Sequence, residues 1–360
     1  MGEDYQWLAV RLITGHVIGE LPHLQVRKLE YRIGQMTSSE AVLPWEGIPS
    51  NWQDLTLPYG TALLLTSGHT VLWGGIIIKR ERKLGAGGMT LTLSTIEHYL
   101  DSVYIRSAKY KQLPQTKIAA NLVDITESTG LHVVPDIGES TILRDRTYDE
   151  TQNKTILSAI QELSGVIDGP EWVTGWRETE DNRYTPVIII RDVLGQYREQ
   201  AVFDESSMAD FTILEDYSTG YGANRVQATS SAEDSESALS DWQVYQDPAR
   251  PAIEYKYQAG TSITRKNTLN EHAKAELETL KNGTITITFT SALTTSPRPG
   301  VDWDIGDIVN YRLGTATDYL PDFDHGWVRI IGYDLDYSQA WQLTPMLRPV
   351  ATEREKSLIK

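Results

Sequence analysis

Cysteine is absent from all 360 residues, and that one absence excludes a disulfide scaffold, a thiol nucleophile and a thiolate zinc site. Long apolar runs are missing too. The longest, 71–78 and 187–190, have strand length and fall well short of the roughly 18 residues that span a bilayer. The opening MGEDYQWLAV has neither the basic start nor the apolar stretch of a secretory leader. These features imply a soluble chain made in the cytoplasm, with no stable membrane insertion. Positive charge is scarce: 33 Lys and Arg face 49 Asp and Glu, a formal net charge of -16. Such an excess disfavours lasting adhesion to phosphate backbones or anionic lipid.

Catalytic signatures are also lacking. There is no Gly-x-Ser-x-Gly elbow, no His-Glu-x-x-His helix and no phosphate loop. The seven histidines, His16, His23, His69, His98, His132, His272 and His325, are scattered singly, as surface or satisfied core residues are. Carboxylates abound, yet nothing marks one pair as a glycosidase couple. No catalytic, cofactor-binding or metal-ligating residue is therefore assigned, no cofactor is expected, and the chain is read as a non-enzyme. The Gly85–Gly88 turn leads into an alternating strand rather than a helix, which suits a hairpin and not a nucleotide loop. The run Asp302-Trp303-Asp304-Ile305-Gly306-Asp307 spaces carboxylates like a cation loop, but its Gly is misplaced and the distal Glu is missing, so it reads as a strand-entry turn. Asp318, Asp322, Asp324 and His325 form a second cluster, for which calcium and a plain polar loop are both open readings.

What is present is material for a sizeable core: 40% hydrophobic residues with 10 Trp, 18 Tyr and 4 Phe, enough for two to four domains at about 100 to 200 residues each. The first hundred residues read as strands at 8–10, 27–33, 62–66, 71–79 and 89–94, separated by turns such as Ser67-Gly68-His69; this pattern fits a barrel or a sandwich. In 89–94 apolar and polar residues alternate, which predicts one buried face. Helical periodicity follows in 117–129 and 152–164, with Thr151 or Asn153 expected to cap the second helix and Gly165 to end it. A hairpin is expected from 172–176 and 185–192 across the polar loop 177–184. A third helix is expected at 267–281, stopped by Asn282-Gly283, and further strands at 284–290, 307–313, 327–333 and 341–346. Acid concentrates in 204–247, where Arg225 is the sole base, and again in 301–340.

Particular residues carry a resemblance. Tyr59-Gly60-Thr61, Leu63-Leu64-Leu65, Gly68, Val71-Leu72-Trp73-Gly74-Gly75-Ile76-Ile77-Ile78, Leu91-Thr92-Leu93 and Tyr99-Leu100-Asp101 resemble the opening domain of minor tail proteins of long-tailed phages, particularly those of actinobacteria. Such proteins look like relatives of the baseplate hub. Tyr221-Gly222-Ala223-Asn224-Arg225-Val226 is similar to a strand of that family, the helix and strand of 267–290 follow in its order, and Ile305-Gly306-Asp307-Ile308-Val309 matches a Gly-Asp turn entering a strand. Each motif is short; their collinearity over nearly the whole chain carries the likeness. The charged tail after Met346 departs from relatives that carry a peptidase, lysozyme or fibre extension, so no attached wall hydrolase is expected.

The resemblance implies an α+β chain, mainly β, with two β-barrel tube domains carrying inserted α+β domains. The first barrel would cover 1–108, an α+β insertion with two short helices 109–203, the second barrel 204–230 and 300–350, a helix-plus-strand insertion 231–299, and a charged tail 351–360. It further implies a homotrimeric tail hub at the virion tail tip, whose six barrels adapt a six-fold tube to a three-fold tip around a channel for DNA. Expected partners are a distal tail protein or the tube above, fibre or spike proteins below, the tape measure protein, and genomic DNA only in transit. The acidic stretches then line that passage or form a solvated surface. The basic cluster 79–83 is either an intersubunit contact or a solvated hairpin end. Rival readings are a glycan- or receptor-binding module resting on the Trp and Tyr content, the hub of a contractile injection apparatus, and a tail-tip glycosidase.

Overall fold

The computed structural model describes residues 5–230, 238–260, 263, 265–314, 325–337, 341–350 and 353–359. The chain opens with β1 (Tyr5–Arg11), β2 (Val17–Glu20), β3 (Gln25–Val26), β4 (Lys28–Arg32) and β5 (Ser38–Pro44), then the single turn α1 (Trp52–Leu55), β6 (Thr61–Ser67), β7 (Thr70–Arg82), β8 (Gly88–Ser94) and α2 (Glu97–Leu100). Next come β9 (Ala108–Pro114), α3 (Gln115–Val123), β10 (Val134–Ile137), β11 (Leu143–Tyr148), α4 (Ile156–Ser164), β12 (Glu171–Thr179) and β13 (Arg183–Arg191). The remainder is β14 (Tyr197–Asp204), β15 (Ala209–Asp216), β16 (Arg225–Ser230), β17 (Ala238–Leu239), β18 (Gln243–Val244), β19 (Glu254–Gly260), α5 (Lys266–Leu280), β20 (Thr284–Ala292), β21 (Ile308–Arg312), β22 (His325–Tyr337), β23 (Trp341–Pro349) and α6 (Glu353–Lys356). The protein is α+β and mainly β.

Two seven-stranded sheets dominate. The first has the order β2-β1-β6-β7-β8-β5-β3, and the second runs β14-β21-β22-β23-β20-β15 with β4 added on β22. Neither path closes on itself among the described residues. The chain leaves the first sheet at Arg27: β3 pairs with β5, while β4 crosses to the second sheet, where Lys28 to Arg32 lie opposite Asp336 to Gly332. One strand of the N-terminal region is thus built into the C-terminal sheet.

The alternation of side chains explains why β6 is apolar almost throughout. Leu63 and Leu65 point into a core shared with the second sheet, whereas Ala62 and Leu64 point the other way, into a core made with α3, α4, β12 and β13. A strand buried on both faces carries a continuous hydrophobic run, and each fully buried Leu contributes roughly 1.5–3 kcal/mol. β8 has a single buried face, Met89, Leu91 and Leu93, in agreement with its alternating sequence. The joint core holds both large sheets through aromatic contacts. Trp7 lies 6.3 Å from Trp73 and 6.5 Å from Trp341, and Trp303 lies 5.7 Å from Tyr333. Gly74 has a positional reason: a Cβ there would sit 2.3 Å from Cδ1 of Trp176, which packs from β12 onto the backbone of β7. A separate small core joins α5, through Leu269, Ala273, Leu277 and Leu280, to Val226 and Ala228 of β16.

Three local expectations need correction. Thr155, not Thr151 or Asn153, caps α4, accepting from the Ser158 amide at 3.1 Å. Asn153 instead takes a left-handed conformation, φ 49°, at the end of a short 3-10 turn that Asp149 caps. The polar loop 177–184 is largely strand: Thr179 lies opposite Arg183, and the turn is made by 180–182, where Asp181 and Asn182 have positive φ. The helix expected over 117–129 is α-helical only to Val123 and continues as 3-10 to Thr129.

Candidate functional site: the sheet edges and their junction

The residues that hold the units together converge on Arg329. This arginine of β22 has no exposed surface, and each of its five N–H donors is engaged. Nε donates to the Gly306 carbonyl at 3.1 Å, one terminal nitrogen to Glu171 at 2.8 Å and Glu355 at 2.7 Å, and the other to Glu171 and to the Leu194 carbonyl at 2.9 Å. Burial opposes the charge, but the carboxylates of Glu171 and Glu355 outweigh it and hold the guanidinium pKa above its usual value. Glu171 comes from β12 and Glu355 from α6, so one buried cation ties three separate elements. Glu355 is also paired with Arg348 of β23. Beneath the cluster two loops cross with their backbones touching: a Cβ on Gly195 (φ +87°) would lie 2.1 Å from the Gly306 carbonyl carbon.

Asp307 organises the neighbouring turn. It is 1% exposed and accepts from the amides of Gln196 at 2.7 Å and Asp304 at 2.9 Å and from Nε of Arg198 at 2.8 Å. Asp302 accepts from the Arg298 amide at 2.7 Å and from Ser296 at 2.9 Å. The 302–307 run is therefore a strand-entry turn tied internally. Asp334 likewise faces inward, to Arg32 and Lys28. Asp302, Asp307 and Asp334 of the second acidic stretch are thus engaged within the chain. Asp318, Asp322 and Asp324 lie outside the described residues, and among the described residues no group of three His, Asp or Glu side chains could hold a metal ion.

In the first acidic stretch the acids divide. Asp204, Asp216 and Asp247 bond amides two residues on, at Ser206, Ser218 and Ala249, and Asp241 pairs with Lys266, so these four serve turns and local contacts. Asp210 and Glu215 are exposed on β15. That eight-residue strand ends the second sheet, pairing with β20 on one side only, and Leu214 is 55% exposed beside the acids. β14 ends the same sheet opposite it. The ends of the first sheet, β2 and β3, are only four and two residues long. Short or charged outer strands discourage indiscriminate pairing; of the two large sheets, the second has the longer outer strands, β14 and β15, eight residues each.

The other candidates are dispersed. His69 contacts Glu178 at 2.8 Å, His98 contacts the Tyr59 hydroxyl, which lies 3.1 Å from Oγ of Ser102, and His272 is buried in α5. Gly85–Gly88 is the β7–β8 hairpin turn. In the 79–83 cluster Lys79 pairs with Glu81, and Arg80 and Arg82 lie over the Trp52 ring at 5.3 and 5.5 Å. Trp7, Trp73, Trp172, Trp176 and Trp303 are core residues, whereas Trp45 and Trp327 are exposed and separate. Sequence reasoning missed Arg329, Glu171 and Glu355 entirely. No helix among the described residues is long and apolar enough to cross a membrane.

By sequence, no family model and no curated protein matches the chain. By structure, the chain is similar to the tail protein from Neisseria meningitidis MC58, with 14% identity and TM-score 0.58 over 95% of this chain and 96% of that one. It is similar to the 43 kDa tail protein of prophage MuSo2 from Shewanella oneidensis, with 10% identity and TM-score 0.58 over 96% and 98%. The E. coli c3393 protein, a component of the type VI secretion system with structural similarity to the T4 tail proteins gp27 and gp5, aligns at 12% identity and TM-score 0.51 over 92% and 75%. None of the three comes from an actinobacterium, and at these identities the likeness is one of fold: over nearly its whole length the chain shares the fold of these two tail proteins, one of them from a prophage.

Proposed function

We propose that this protein is a structural tail hub: a non-enzymatic homotrimer at the distal end of a phage tail tube that adapts six-fold to three-fold symmetry around a channel for DNA. The observation that carries the reading is the end-to-end fold likeness to two phage tail proteins. Its physical counterpart is the fusion of two large sheets into one core, which makes each chain a rigid block with two β units. The outer strands β14 and β15 supply edges for contacts with neighbouring copies, with the distal tail protein or tube above, and with fibre or spike proteins below; the tape measure protein is a further expected neighbour. Exposed acid on β15 and net charge -16 keep passing DNA from adhering. The site of action is the virion tail tip, after synthesis in the host cytoplasm.

Because a type VI secretion component shares the fold, the hub of a contractile injection apparatus is the second reading. Light scattering on the purified chain tests the core of both: a mass three times that of the 40.5 kDa chain is expected, and a monomer that also fails to join isolated tail tubes contradicts them.

A further inference from the structure

The two large sheets follow one plan. The strands β6-β7-β8-β5-β3 of the first and β21-β22-β23-β20-β15 of the second agree in spatial order and in order along the chain. The long strands β7 and β22 have 13 residues each. Both carry a register shift, between Ile77 and Lys79 in one and between Ile330 and Gly332 in the other. The residue before each shift accepts the same loop bond: the Ile77 carbonyl from the Tyr59 amide at 2.7 Å, the Ile330 carbonyl from the Gly306 amide at 2.8 Å. With these features matched, 79–83 correspond to 332–336. Followed through the intervening ladders, Gln25 at the start of β3 corresponds to Ala209 at the start of β15, so β4 corresponds to 212–216. The faces agree, since Leu29 of β4 and Ile213 of β15 both pack on the joint core.

Of the two equivalent slots, one is filled within the chain. On β22 the stretch 332–336 runs past the end of β21 and pairs with β4, where Leu29 and Tyr31 lie opposite Leu335 and Tyr333, and Lys28 and Arg32 meet Asp334. On β7 the stretch 79–82 runs past the end of β6 and pairs with β8 on one side. Among the described residues no bond reaches its backbone from the other side. The strand that corresponds to β4 is β15, whose outer edge is likewise unpaired. Within one chain the two stretches lie in different sheets, so only a second copy brings them together.

Charge agrees with this match. Lys79, Arg80, Arg82 and Lys83 stand at the open slot, and Asp210, Glu215 and Asp216 stand on β15. Carried over from β4 and β22, the register sets Glu215 opposite Arg80 and Asp216 opposite Lys79. Glu215, Arg80, Arg82 and Lys83 have no oppositely charged partner among the described residues. Each opposite-charge pair across strands contributes about 0.2–1 kcal/mol. The slot on β22 carries Asp334 and Asp336, so it would repel β15 even if β4 vacated it. A head-to-tail contact of this kind, repeated, closes a ring.

We propose that β15 of one copy adds to 79–83 of the next as an antiparallel strand, the between-copy counterpart of β4 on β22. This rests on the ring assembly proposed above and names its joint. Because the chain has no cysteine, disulfide trapping reads the contact without background. Glu81 and Leu214 are exposed and stand opposite each other in the proposed register. With diamide as oxidant, the double variant Glu81→Cys/Leu214→Cys is expected to give covalent dimers and trimers on a denaturing gel. A mixture of the two single variants should give dimers only, and each single variant alone no specific product. In a dilution series followed by light scattering, Lys79→Glu and Asp216→Lys should each raise the dissociation midpoint about tenfold, and together return it to within about threefold of wild type. Absence of the crosslink, or charge reversals without effect, overturns the proposal. If the unsubstituted chain is then still trimeric, the joint alone is wrong and the hub reading stands; a chain that neither crosslinks, trimerises nor joins tail tubes removes both.

Discussion

At the scale of single residues, Arg329 is the most consequential side chain. A buried guanidinium with every donor engaged is neutral to folding only while both carboxylates stay in place; removing it leaves the buried Glu355 and the partly buried Glu171 without their main partner. Arg329→Met is therefore expected to destabilise the fold by about 3–5 kcal/mol in denaturant titration. A loss below about 1 kcal/mol would show the cluster to be incidental. Glu97 gives a pH-dependent counterpart. It is 1% exposed, one carboxylate oxygen accepts from Thr174 at 2.8 Å and the other has no partner among the described residues, and burial raises its pKa above the ordinary 4.5. The folded state thus holds this proton more tightly than the unfolded state. Its contribution to stability is complete below pH 4.5 and declines as pH rises through the higher folded value. Glu97→Gln should flatten that decline and raise neutral-pH stability by about 1 kcal/mol, read as the pH profile of the melting temperature. A profile identical to wild type contradicts the assignment.

At the scale of elements, β6 and β8 differ in how many faces they bury, and substitution should report it. Leu64→Ser on β6 removes a fully buried side chain from the helical side of the sheet and is expected to cost about 2–5 kcal/mol. Thr92→Ser, on the partly exposed face of β8, should change stability by no more than about 0.5 kcal/mol in the same assay. Equal effects would contradict the two-sided burial of β6. These same strands were the legible ones, because local alternation and apolar runs report strand and burial without knowledge of the partner. The α4 cap is Thr155 and not Thr151 or Asn153, since several capping residues stand within one turn and only packing chooses among them. The outer strands β14 and β15 did not stand out: YREQAVFD and ADFTILED mix charge with apolar residues because one edge and much of one face meet solvent. The crossing of β4 to β22 pairs residues some three hundred positions apart, and no local pattern encodes such a register. Arg329 was invisible for a related reason. Charged residues are rarely buried, and its two partners lie 158 and 26 positions away, beyond any local pattern.

At the scale of the whole molecule, the physical picture is a stiff block: two seven-stranded sheets sharing one core, tied by a buried ion cluster to a helical layer, with acid on its outermost long strand. A single core shared by two sheets suits a part that transmits symmetry between neighbours. The central claim is therefore geometric, and it is tested most directly by electron-microscope class averages of the assembled protein. The account predicts rings with three-fold symmetry and an open axial channel as wide as a DNA duplex. A population of single globular particles, or closed rings with no axial opening, would contradict it.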